Sequence, residues 1–290
     1  MKLFFILPVM LCAAAPAYAQ SLNLGGKPGA APEPIQITAS QGISWSQEAQ
    51  TVTATGNAKA VRGDVTVTAN QLVAHYVKKA GSGTQTGKDN ESSNPLDQGN
   101  AQLTELDAIG NVHIYTATDN GWGDHAVYDV GKQVLVLTGK NLKLTTPKDT
   151  VTAKTSIEYY AGQHKAIARG DALIVANDGR SIAADVITGY FADTNQNQNT
   201  PDQGGNLKKV EAVGHVIIKT TTDTATGDRG VYLPGTGQAR LGGNVHIIHG
   251  PNELAGSDAL VNMKTGVATL LAGAGKQVSG VILPGSGKAQ

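Results

Sequence analysis

The sequence predicts an all-β protein built from stacked strand pairs, and three observations carry that reading. A short phrase recurs, as Ile109-Gly110-Asn111-Val112-His113-Ile114, Val213-Gly214-His215-Val216-Ile217-Ile218 and Gly243-Asn244-Val245-His246-Ile247-Ile248. Around it, aliphatic residues alternate with polar ones, the period of a strand with one covered face. Beyond the first 20 residues no stretch holds a long apolar period of 3.6, so helices are expected to be nearly absent.

Taken in order, the chain opens on Lys2, an apolar run from Leu3 to Ala15, and Ala17-Tyr18-Ala19 before Gln20. This is the layout of a secretory signal peptide over residues 1–19, cleaved after Ala19. The run is short for a membrane span. Cys12, the only cysteine, lies inside it, so the mature chain is expected to hold neither disulfides nor thiolate metal sites. Residues 20–34, with Gly25-Gly26, Pro28, Pro32 and Pro34, read as a disordered leader. Strand patterns begin at Ile35-Gln36-Ile37-Thr38-Ala39, and the repeat domain is placed at 35–273, followed by a tail at 274–290.

The repeat is counted by Gly56, Gly110, Gly139, Gly170, Gly214, Gly243 and Gly273, with gaps of 54, 29, 31, 44, 29 and 30 residues. The unit is therefore about 30 residues, two strands of about ten each, and such units bury a continuous core only when stacked. The two long gaps hold polar insertions, at 80–104 (low-complexity from Ala80 to Asn100) and 193–206. Such stretches cannot bury a core and read as surface loops.

Alternation about each repeat glycine locates one aliphatic face. Two residues before it stand Leu137, Leu241 and Leu271; two after it Val112, Val216 and Val245; four after it Ile114, Ile174, Ile218 and Ile247. One repeat is slipped by a residue and uses Leu142 and Leu144. Asn111, His113 and His215 take the other parity. In the second strand the most apolar column is Val73, Val127, Ile157, Ile187, Val231 and Leu260, with Tyr128 and Tyr232 of opposite parity, and its inner face stays open. The aliphatic face must be covered. A closed sandwich and an apolar groove both satisfy that, and small aliphatic linings suit acyl chains better than sugars.

Composition removes several function classes. Lys+Arg 23 against Asp+Glu 23 leaves no basic excess for nucleic acid. Aromatics at 4% poorly supply base-stacking platforms or a sugar cleft.

With these residues in view, the chain resembles the LptA/OstA family of periplasmic lipopolysaccharide-transport bridge proteins. The resemblance rests on the export signal, Ile37-Thr38-Ala39, Thr55-Gly56-Asn57-Ala58, Ile109-Gly110-Asn111-Val112, Thr138-Gly139-Lys140-Asn141, Ala225-Thr226-Gly227-Asp228 and Tyr128-Asp129 with Val134 to Gly139. It covers most of residues 35–273. It implies an incomplete β-jelly-roll, a V-shaped stack of antiparallel strands open at both ends. It also implies that the twelve aliphatic positions from Val112 to Leu271 line a groove for lipid A acyl chains, bridging inner and outer membranes. Implied partners are lipopolysaccharide, the inner- and outer-membrane transport components of the same fold, and further copies of the chain joined head to tail by edge strands. The resemblance implies no enzyme, cofactor or nucleic acid. The contrasting reading is an exported β-solenoid that acts on or binds polysaccharide.

Polar candidates are weighed against structural roles. Asp124, Asp171, Asp185, Asp228 and Asp258 recur near glycines and are expected to form turns rather than a catalytic carboxylate pair. The seven histidines include no pair at i, i+2, and His246 and His249 fall on opposite strand faces, so no metal site is expected. Trp45 and Trp122 read as edge or surface packing, and Lys78-Lys79 and Lys208-Lys209 as solvated charges.

Overall fold

The computed structural model describes residues 35–78, 101–192, 207–272 and 277–281. They form one antiparallel sheet of 18 strands. In chain order these are β1 (Gln36–Thr38), β2 (Gly42–Ser46), β3 (Thr51–Arg62), β4 (Val65–Lys78), β5 (Ala101–Tyr115) and β6 (Asn120–Asp129). Next come β7 (Val134–Thr138), β8 (Leu142–Thr145), β9 (Asp149–Ala153), β10 (Ser156–Tyr160), β11 (Lys165–Ala176) and β12 (Ser181–Phe191). The series ends with β13 (Leu207–Lys219), β14 (Asp223–Leu233), β15 (Gln238–His249), β16 (Asn252–Asn262), β17 (Val267–Leu271) and β18 (Ser279–Val281). Among the described residues the single helical element is one 3-10 turn, Ala161–Gln163, as the missing apolar helical period requires.

The topology is a meander folded along its own midline. Each long strand pairs with the next, from β3 through β6 and from β11 through β16. The remaining rungs are split in two. β7 pairs with the Cys-free stretch His125 to Asp129 of β6, and β8 with Asn120 to Trp122. β9 and β10 likewise take the two halves of β11, β1 and β2 those of β3, and β17 and β18 those of β16. The sheet thus has two half-sheets joined along a seam. A single aliphatic cluster draws on both, with Val112 and Ile114 from one half and Tyr128, Leu135 and Leu137 from the other.

The seam is where the repeat glycines lie. Gly56, Gly110, Gly170, Gly214 and Gly243 have φ between +76° and +85°, and the residues after them, Asn57, Asn111, Asp171, His215 and Asn244, have φ between +42° and +50°. The ladder slips at each of these pairs, for example between Ile109 and Val112 on β5 and between Val213 and Val216 on β13. Two residues there oppose one on the neighbouring strand, which is a β-bulge. Glycine is needed because a Cβ at φ near +80° is strained, and Asn, Asp and His are the side chains that best tolerate the left-handed region. Gly and Asn together are common in hairpin turns; here the pairs sit mid-strand, and the hairpins lie elsewhere, as at Arg62–Val65 and Lys219–Asp223.

The five aspartates expected in turns are therefore mid-strand. Asp185 and Asp228 each face the bulge of the next strand, where a Cβ on Gly214 would meet Asp185 Oδ2 at 2.1 Å and one on Gly243 would meet Asp228 Oδ2 at 2.3 Å. Asp228 also accepts from Asn244 Nδ2 at 3.0 Å, and Asp124 accepts from the Lys140 backbone N–H at 2.9 Å. Asp171 pairs with Lys154 and Asp258 with Arg240. Ala101–Thr104, assigned above to the first polar insertion, are paired strand: Ala101, Gln102 and Leu103 face Lys78, Val77 and Tyr76. Residues 1–34, 79–100, 193–206, 273–276 and 282–290 lie outside the described residues. With them lie the signal peptide, the leader, the low-complexity insertions, Lys79, Gly273 and most of the tail.

Candidate functional site

The interior between the half-sheets is the feature that the repeat builds in every rung. Val112, Ile114, Leu137, Leu142, Val216, Ile218, Leu241, Val245 and Ile247 are all buried in it. Leu144 and Ile174 are half-buried and pack against the same cluster. Leu271 is the exception. It is 36% exposed, while Ala268 and Leu270 of the same strand pack inward. The parity expected from Gly273 is off by one because β17 is a short edge strand outside the bulge series, paired only over Val267 to Leu271.

The second strand of each unit, left open by the sequence, resolves toward the tyrosines. Tyr128 is buried and Tyr232 packs on the cluster, whereas Val231 and Leu260 are exposed. Ile157 and Ile187 are buried, so the apolar column picked from the sequence crosses from one face to the other. The same two strands, β6 and β14, also carry small residues where Leu137 and Leu241 approach. Gly230, Gly121 and Gly123 carry no side chain into the interior, and a Cβ on Gly123 would meet Leu137 Cδ1 at 2.7 Å.

Near the β1–β2 edge the interior is not filled. A cavity of about 60 Å³ is lined by Ile37, Val52, Val67, Leu72, Ala108, Ile114 and Leu135, with Arg62 and Tyr128 among its walls. The Tyr128 hydroxyl is buried without a hydrogen-bond partner. Burial pushes its pKa up, against the opposing influence of the Arg62 charge. A phenol in that setting stays neutral and is available as a donor inside an otherwise aliphatic space.

Away from this interior, several polar groups satisfy one another. Glu158 accepts from Ser156 Oγ at 2.8 Å, Tyr160 Oη at 2.8 Å and Arg169 Nε at 2.8 Å. Burial opposes its ionisation, but these donors together hold the carboxyl below its ordinary range. Asp223 behaves alike, its burial outweighed by Thr222 and His249. Lys209 pairs with Glu211 at 2.8 Å and covers the Tyr190 ring. Trp45 donates to the Tyr76 hydroxyl, which fixes the edge strand β2 onto β4. Trp122 stacks on His113 with ring centroids 4.9 Å apart. No catalytic constellation emerges from these pairs.

The outer face holds one grouping that the sequence reading missed. His75, Glu105 and Asp107 bring a ligand atom each to within 4.8 Å of one another. The missed signal is cross-strand: spacing along one strand says nothing about His75 standing opposite Glu105.

Fold and interior together define a bent antiparallel ribbon with a continuous aliphatic inside. Residues 36–165 match the family model described as LptA/(LptD N-terminal domain) LPS transport protein. Over that stretch, which is less than half of the chain, the protein is similar to the LptA/OstA-like domains of lipopolysaccharide transport. The bulge signature continues past the matched stretch, at Gly170, Gly214 and Gly243. An uncharacterized protein of Rhizobium meliloti (strain 1021) is 25% identical over 173 residues, 59% of this chain and 86% of its own length. The crystal structure of LptH, described as the LptA homologous periplasmic component of the lipopolysaccharide transport device of Pseudomonas aeruginosa, is also similar. It is 17% identical, with a TM-score of 0.38, covering 47% of this chain and 95% of its own.

Proposed function

We propose that this protein is an exported carrier that holds the acyl chains of lipopolysaccharide between its half-sheets and passes them along the rungs toward the outer membrane. The observation that carries the reading is the unbroken aliphatic interior, whose rungs Val112/Ile114, Val216/Ile218 and Val245/Ile247 repeat the same two side chains at the same places. Each acyl methylene moved from water into such a space gains about 0.8 kcal/mol. Because every rung from Val112 to Ile247 presents aliphatic side chains, a chain moving from one to the next exchanges comparable contacts.

A cavity of about 60 Å³ matches the liquid volume of about two water molecules. An acyl chain needs far more, so loading parts the half-sheets. The edges support assembly by strand pairing. Among the described residues, β1 and β2 pair only with β3, and β17 and β18 only with β16. Val267 and Val281 at the second edge are exposed. Unpaired backbone beside apolar side chains is a template for another strand, and the same-fold components at the two membranes would dock there, as would further copies of this chain.

The test is competition. Purified protein is incubated with labelled lipopolysaccharide and challenged with unlabelled lipopolysaccharide or with its de-acylated oligosaccharide. The intact lipid should displace the label and the oligosaccharide should not; equal displacement by the oligosaccharide contradicts acyl-chain binding.

A further inference from the structure

We propose that the outer face of β4–β6 carries a binding site for a divalent transition cation, with His75, Glu105 and Asp107 as ligands and His125 as a positioning residue. The site is built by sheet register. His75 on β4 stands opposite Glu105 on β5, and Asp107 lies two residues further along the same face of β5. Asp107 is the centre of the group. One carboxylate oxygen is 2.9 Å from His75 Nε2 and the other is 3.4 Å from His125 Nε2. The Asp107 side chain is only 16% exposed, although it lies on the outer face.

The donor set has the composition of a metal site. Each of the three ligand residues offers one donor atom, all within 4.8 Å of one another. An ion of zinc's size takes nitrogen and oxygen at roughly 2.0–2.2 Å, so its donors end about 3–3.5 Å apart, and the Glu105 side chain need close by little more than an ångström. One imidazole with two carboxylates favours Zn²⁺ or Mn²⁺ over the all-oxygen preference of Ca²⁺ and Mg²⁺. His125 on the outer oxygen of Asp107 is the kind of partner that orients a ligating carboxylate. The surrounding charge is also suitable. Asp129 faces Glu105 across β5–β6, and the nearby Lys132 is held by Asp129 at 2.8 Å. Among the described residues of this patch, the three carboxylates thus outnumber the one lysine.

Bound there, the ion ties β4 to β5 close to the ends that residues 79–100 join. This lies on the solvent side of the sheet and does not depend on the lipid-carrier reading. His246 with Glu253 and His249 with Asp223 are histidine–carboxylate pairs with no third ligand among the described residues, and they serve as internal controls.

Untagged protein stripped with EDTA is titrated with ZnCl₂ by calorimetry, with lipid absent. One saturable site is expected. His75→Ala and Glu105→Gln should each weaken it at least tenfold. His125→Ala should weaken it about tenfold, with recovery in His125→Gln, whose amide nitrogen reaches about as far as the imidazole Nε2 that meets Asp107. His246→Ala should leave it unchanged. Urea midpoints in EDTA establish that each variant is folded, and Glu105→Gln, an isosteric change, carries the test if His75→Ala is not. Absence of saturable binding, or binding that survives Glu105→Gln and falls with His246→Ala, overturns the proposal.

Discussion

Replacing Gly214 by Ala should destabilise the protein by about 1–3 kcal/mol, and the figure can be taken apart. Gly214 sits at φ +80° in the bulge of β13. A side chain held in the left-handed region costs roughly 1–2 kcal/mol. The new methyl would also stand 2.1 Å from Asp185 Oδ2, forcing that carboxylate to swing away from His215, which it now meets at 3.0 Å. His215 is exposed, so losing that pair costs about 0–1 kcal/mol. Urea unfolding measures the sum, with the slope of the transition unchanged if the folded state keeps its compactness. Two further variants separate the causes. Asp185→Ala in the Gly214→Ala background removes the clash and leaves the backbone strain, about 1–2 kcal/mol. Gly214→Asn should be milder than Gly214→Ala, since Asn tolerates this conformation. The reasoning is refuted if Gly214→Ala is neutral, or if Asp185→Ala restores full stability, because φ would then not be the reason for glycine.

Other substitutions test other layers. Leu241→Ala should cost about 2–5 kcal/mol, while Leu271→Ala, at an exposed site, should stay within about 0.5 kcal/mol in the same urea assay. Gly123→Ala should cost about 1–3 kcal/mol by overpacking, since its methyl meets Leu137 and the Thr138 carbonyl oxygen at 2.9 Å. Glu158→Gln should lose about 1.5–3 kcal/mol at neutral pH, the range for a hydrogen-bonded charge. The Glu158 carboxyl is held below its ordinary value of 4.5, so its stabilisation is full above that value and is lost as pH falls through the lower, folded one. The gap between wild type and Glu158→Gln should thus be constant from pH 7 to about pH 5 and shrink at more acid pH; a gap that widens on acidification contradicts the arrangement.

Much of the fold is legible because strand alternation is strict and the repeat glycine sets its phase. Val112, Ile114, Val216, Ile218, Val245 and Ile247 follow from counting two and four residues past a glycine. What the glycine does is less legible. Gly-Asn in sequence has the same two positive φ values whether it turns a hairpin or bulges a long strand, and only the partner strand decides. The same ambiguity displaced the aspartates from strands to turns. Leu271 failed because Gly273 resembles a repeat glycine while β17 is a short edge segment beyond the last bulge. The second strand was ambiguous because both parities are apolar there. Tyr128 faces inward between Leu106 and Leu135, its partners on the two flanking strands, a pairing visible only once register is known. The His75–Glu105–Asp107 group was out of reach for the same reason, since its members are brought together across strands.

The central claim is that acyl chains occupy the space between the half-sheets, and site-resolved photo-crosslinking tests it most directly. A crosslinking residue is placed at Ile114, Ile218 or Ile247 inside, or at Asn111 or His113 on the opposite parity, and lipopolysaccharide is added before irradiation. The account predicts adducts from the three inner positions and none from the two outer ones. Adducts from Asn111 or His113 alone would contradict it.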